Sequence, residues 1–112
     1  MTAAGAERWR SLLGQLLPVR DEAALARVLT QWTRPAAPQV LAFANAHAFN
    51  LAARDTAFFE DLATADWLAR DGQGMAWLLR MLGRPAGLNL NGTDLIPRLI
   101  ATARPPCIAL LG

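Results

Sequence analysis

Three short polar clusters stand out as places where this sequence can do chemistry: Asn45-Ala46-His47, Asp71-Gly72-Gln73-Gly74 and Asn89-Leu90-Asn91-Gly92-Thr93-Asp94. Asp71 is the strongest single candidate. A carboxylate in such a turn can take the proton from a hydroxyl as that hydroxyl forms a new bond. Gly72 and Gly74 beside it let a substrate approach the backbone closely. The structural alternative is an aspartate that only caps the helix beyond it. His47 can serve as a base or as a donor to phosphate, although a lone histidine near a strand end is more often a hydrogen-bonded structural group. Asn45, Asn89 and Asn91 can bind substrate hydroxyls, and asparagine is equally common in plain turns. Gly92, Thr93 and Asp94 open a helix, whose free N–H groups and dipole favour an anion; Thr93 and Asp94 can equally do no more than cap it.

These clusters depend on the elements around them. Residues 6–17 carry Trp9, Leu12, Leu13, Leu16 and Leu17 at helical spacing, and Pro18 ends the run. Asp21 is a good N-cap for a second helix that turns Leu25, Leu29 and Trp32 inward. Thr33–Pro38, with two prolines, reads as a loop, and Val40–Ala44 reads as a short buried strand. Asn45–Ala53 then reads as a helix, and Asp55 caps another that runs to about Ala63. Trp67–Ala69 is a second strand, leading straight into Asp71-Gly72, and Met75–Leu82 resumes the helical pattern.

Gly83–Leu90 is an irregular connection. Thr93 looks like the N-cap of a last helix, with Pro97 in its first turn, where a missing N–H costs little. Pro106–Leu111 is a further buried-strand candidate, in which Cys107 would be an inert buried thiol. Short apolar strands alternating with helices predict an α/β layer with a largely parallel sheet. In such folds ligands gather outside the carboxyl ends of the strands, where the first two clusters fall.

Composition sets the outer bounds. The 112 residues suffice for one domain with a core, and 54% hydrophobic residues against 18% charged exclude a disordered chain. Every basic residue is arginine, and these arginines are scattered among acids instead of forming the basic face of a nucleic-acid binder. A single cysteine excludes an internal disulfide and a cysteine-based metal cluster. The sequence has neither the apolar stretch of a signal peptide nor a membrane-length run, so a cytoplasmic location is expected.

The order of the clusters is more specific than any one of them. FANAHAFNLAARD (43–55), FFEDLATADWLARDGQGMAWLLRMLG (58–83) and NLNGTDLIPRL (89–99) together resemble the WecG/TagA/CpsF glycosyltransferases. That family has an Asn-Ala strand end, then an Ala-Asp segment leading into Asp-Gly-x-Gly, then Gly-Thr-Asp. The resemblance covers residues 38–112, with 20–37 as a lead-in, and divides the chain into an N-terminal amphipathic helix (1–19) and an N-terminal portion of the glycosyltransferase domain (20–112). It implies a Rossmann-like, largely parallel sheet flanked by helices, here in truncated form.

The implied activity is inverting transfer of an N-acetylhexosamine or related sugar from a UDP-sugar to a polyprenyl-diphosphate-linked acceptor. The products belong to teichoic acid, common-antigen or exopolysaccharide assembly. The resemblance puts Asp71 at the general base and Asn45, Asn91, Gly92, Thr93 and Asp94 about the substrates; His47, Gly72 and Gly74 stand beside them as substrate-binding candidates from their place in the same clusters. It calls for no metal and no cofactor, and brings peripheral contact with the inner face of the membrane as a further expectation. A truncated sheet, with its edge and apolar face exposed, would also invite self-association. The chain departs from the pattern in two places. Many members have Thr-Pro-Asn where this chain has Phe43-Ala44-Asn45, so a hydroxyl is absent at position 43. Members also continue well beyond the segment matching Cys107–Leu111.

Two other classes compete with an enzyme. A non-catalytic module would bind a nucleotide sugar or a partner chain and be indifferent to Asp71→Asn. A membrane-surface protein would use the Trp9 and leucine stripe of the N-terminal helix, and would lose vesicle binding on Leu13→Glu and Leu16→Glu.

Overall fold

The computed structural model describes residues 1–17, 19–32, 37–103 and 107–109. In chain order the elements are α1 (Ala3–Gln15), α2 (Glu22–Gln31), β1 (Leu41–Ala44), α3 (Ala46–Arg54), α4 (Thr56–Ala63), β2 (Trp67–Arg70), α5 (Gln73–Met81) and α6 (Gly92–Ala103). The strands pair in parallel, with Leu41 opposite Trp67 and Ala44 opposite Arg70, and α3 and α4 form the crossover between them. The fold is therefore mixed α/β with a parallel sheet flanked by helices, as the alternation of elements predicts.

Strand geometry divides the core in two. Successive side chains point to opposite faces, so Ala44 and Leu68 join Leu12, Phe49, Met75 and Leu79 on one face. Ala69 joins Leu25, Leu29, Trp32, Leu90 and Leu95 on the other. Helices α1, α3 and α5 cover the first face, and α2 and α6 the second. Trp9 meets Phe49 edge-on at 6.0 Å, and Arg8 donates to the carbonyls of Ala52 and Ala53 at 3.1 and 2.6 Å, which satisfies the end of α3.

Helix starts follow the local signals. Asp21, Asn45 and Asp55 each accept a backbone N–H three residues on, at 2.8, 2.9 and 3.0 Å, and so open α2, α3 and α4.

Three expectations are corrected. Leu16 and Leu17 are not helical. Pro18 disfavours helical backbone at the residue before it, and Leu17 N–H instead donates to Leu68 O at 2.8 Å, so this segment runs along the free edge of β2. The last helix begins at Gly92, capped by Asn91, whose Oδ1 accepts from Asp94 N–H at 3.0 Å. Thr93 is therefore inside it, and Pro97 lies in its second turn, where it removes the N–H that would reach the exposed Thr93. Cys107 is exposed, and residues 107–109 form no strand; the rest of the expected Pro106–Leu111 strand lies outside the described residues. No helix among the described residues is long and apolar enough to cross a membrane.

Candidate active site at the carboxyl end of the sheet

Parallel pairing brings the ends of β1 and β2 side by side. The ladder continues one residue past the strands, where Asp71 N–H donates to Ala44 O at 3.0 Å. Asn45 and Asp71 are thus neighbours in register, each at a strand-to-helix junction. Asn45 Oδ1 is engaged in capping α3. Asp71 has no such duty. The N-cap of α5 is Gly72, at φ 90° and ψ 161°, a conformation open to glycine, and no side chain caps that helix. The Asp71 carboxylate is half-buried and accepts no hydrogen bond from any described residue. The helix-capping alternative for Asp71 therefore does not hold.

The turn bearing Asp71 is held from a distance. Gly72 N–H donates to Asn89 Oδ1 at 3.0 Å, and Leu90 N–H donates to Arg70 O at 3.0 Å. Arg70, the residue before Asp71, is only 4% exposed. Its Nη1 donates to Gly72 O at 3.0 Å and its Nη2 to Gly87 O at 3.1 Å, while Nε is buried without a partner. Burial lowers the Arg70 pKa from the ordinary arginine value; nearby Arg80 lowers it further, and Asp71 opposes both. Arginine titrates so far above neutrality that the guanidinium stays charged. Gly87 must be glycine: its φ is 67°, and a Cβ there would sit 2.2 Å from Val19 O, beside the bond from Leu88 N–H to that same oxygen.

Three helix N-termini meet at this end of the sheet. Gly74 of α5 lies against Ala46 of α3, with a Cβ on the glycine falling 3.4 Å from that of Ala46. Gly92 of α6 lies over the ring of Phe43, at 3.6 Å by the same measure, so the ring packs against the start of that helix. Uncapped N–H groups at the start of α5 favour an anion there. Asn91 and Asp94 satisfy each other: Nδ2 of Asn91 donates to Oδ2 of Asp94 at 2.9 Å, and Oδ1 accepts in return from the Asp94 backbone. Thr93 is exposed one residue before. A cleft of about 300 Å³ adjoins the turn, lined by Asn89, Leu90 and Asp94 together with the Arg98–Glu22 ion pair at 2.7 Å.

Asn45, Asp71, Gly72, Gly74, Asn91, Gly92 and Asp94 are thus gathered at one end of the sheet. His47 is turned elsewhere, to a wide groove of about 870 Å³ that it lines with Thr2, Arg8, Asn50 and Arg54. Sequence reasoning missed Arg70. Its only signal was a charged residue at the end of an otherwise apolar strand. Among the described residues no group of three or more His, Cys, Asp or Glu can hold a metal ion.

Comparison with known proteins identifies a family. The family described as "Glycosyl transferase WecG/TagA/CpsF family" matches residues 10–112. No curated protein and no solved structure matches the chain.

Proposed function

Because the chain belongs to the WecG/TagA/CpsF glycosyltransferase family, we propose that the end of its sheet carries out inverting sugar transfer in cell-wall or exopolysaccharide synthesis. The donor is a UDP-linked N-acetylhexosamine or related sugar. The acceptor is the hydroxyl of a sugar on a polyprenyl diphosphate, presented at the inner face of the membrane. One observation carries this reading: Asp71 is a half-buried carboxylate without a hydrogen bond from any described residue, beside uncapped helix N–H groups.

Asp71 takes the proton of the acceptor hydroxyl as that oxygen bonds to the anomeric carbon. The bond from that carbon to UDP breaks on the opposite face, which inverts the configuration. Negative charge grows on the leaving diphosphate, and the N-termini of α5 and α6, with Gly72, Gly74, Gly92 and Thr93, are suited to hold it. Asn45 retains its Nδ2 group, and Asn91 and Asp94 form the rim over the donor. His47, on the far side of α3, would meet only the outer part of a long acceptor.

The test is acceptor-dependent UDP release from a panel of UDP-N-acetylhexosamines with a soluble lipid-diphosphate sugar, by wild type and by Asp71→Asn. Release that disappears in the variant supports Asp71 as base. Donor binding without release, unchanged by the substitution, would replace transfer with a binding module.

A further inference from the structure

We propose that the outer face of α5 docks on an anionic lipid bilayer. Trp77 and Met81, four residues apart and hence on one face, are 68% and 77% exposed, and Leu82 is 50% exposed. The opposite face of the helix is anchored by buried Met75, Ala76 and Leu79, so the apolar stripe is a fixed feature of the surface. Among the described residues, the other exposed large apolar side chains, Met1, Val40, Ile100 and Ile108, are spread over other segments.

Charge selects the occupant. Between Asp71 and Asp94 there is no acidic residue, and the only charged side chains are Arg80 and Arg84. Arg80 lies in the last turn of α5, and a tight turn holds Arg84 beside it: Gly83 N–H donates to Arg80 O at 3.0 Å and Arg84 N–H to Leu79 O at 2.8 Å. A tryptophan and two aliphatic side chains flanked by two arginines suit an interface with apolar chains below and anionic headgroups around. A second copy fits poorly. Three side chains offer far less than the roughly 800 Å² per partner of a stable interface. A two-fold contact through this face would also gather four arginines around one small patch, with no acidic residue of the 72–93 segment to offset them.

The stripe on α1 does not serve this purpose, because Leu12 and Leu13 are buried and Trp9 packs on Phe49. Leu13→Glu would disturb the core before it reported on lipid. The proposal stands apart from sugar transfer, since its test involves no turnover.

The experiment is flotation of the full chain with vesicles of phosphatidylcholine alone or mixed equally with phosphatidylglycerol, with far-UV circular dichroism as a check on folding. The chain should bind the mixed vesicles and shift Trp emission to the blue. The shift should vanish in Trp77→Phe, because Trp9, Trp32 and Trp67 are at least half-buried. Trp77→Gln with Met81→Gln should weaken binding about tenfold or more. Arg80→Gln and Arg84→Gln should each cost about fivefold on mixed vesicles and nothing on neutral ones. All four side chains are exposed, so these variants should fold. Absence of binding by folded wild type overturns the proposal, as does binding that ignores the Trp77 and Met81 pair or the headgroup charge. A dimer that this pair abolishes, without vesicle binding, would assign the face to a second copy.

Discussion

Two junctions stand side by side at the end of the sheet, and they are built on opposite plans. At the first, Ala44–Asn45–Ala46, the polar residue serves its own helix: Asn45 caps α3, and the junction is complete within four residues. At the second, Arg70–Asp71–Gly72, nothing local caps α5. The turn is secured instead by Asn89 on the Gly72 amide and by Arg70 tying Gly72 O to Gly87 O. Because distant groups hold the backbone, the Asp71 carboxylate is left available. A polar residue after a strand thus becomes a cap or a reagent according to whether its own helix engages it.

The contrast can be broken by substitution. The largest effect is expected from Asp71→Asn, which should lower acceptor-dependent turnover by roughly 10²–10⁴ while changing stability by no more than about 0.5 kcal/mol. A large loss of stability would make Asp71 a structural group like Asn45. Next, Arg70→Met leaves two carbonyls without their donor and should cost about 2 kcal/mol in urea unfolding, with turnover falling as the turn loosens. Unchanged stability would mean that the second junction supports itself.

Asn45→Ala should cost about 1 kcal/mol, whereas Asn45→Asp should keep the cap and the stability. Turnover lost in a fully stable Asn45→Asp protein would sharpen the picture by adding a substrate contact to the cap. The smallest effect, about 0.5 kcal/mol, is expected from Asn89→Ala, because both partners lie near solvent and water replaces the lost acceptor.

The two plans also differ in how openly the sequence displays them. Asp21 and Asp55 were readable as caps because donor and acceptor lie three residues apart. Asn45 has the same spacing, but the sequence pattern places it inside its helix and only the structure shows it as the cap. Val40–Ala44 and Trp67–Ala69 were readable as strands because both faces of a parallel strand are apolar. Leu16 and Leu17 were not readable: their place is set by Leu68, some fifty positions later, which outweighs an ordinary helical pattern up to Pro18. Arg70 escaped notice for the same reason, since its two acceptors lie at Gly72 and Gly87 and only the folded turn brings them within reach. Asp71 was found from the residue types around it. What freed its carboxylate, a glycine cap with positive φ and a brace from residues 87–90, depends on tertiary contacts.

That brace has a consequence for motion. The Gly72 amide is bonded from Asn89 and the Leu90 amide from Arg70, so neither bond survives if the 87–90 segment lifts from β2. The two amides should therefore exchange with solvent deuterium at a common opening free energy, as members of one cooperative unit. The Ala48 amide, bonded within its own helix to Asn45, should follow a different opening. The aspartate, on this account, is in position only while that unit is closed, and a ligand bridging the turn and the start of α6 would slow exchange at both amides together.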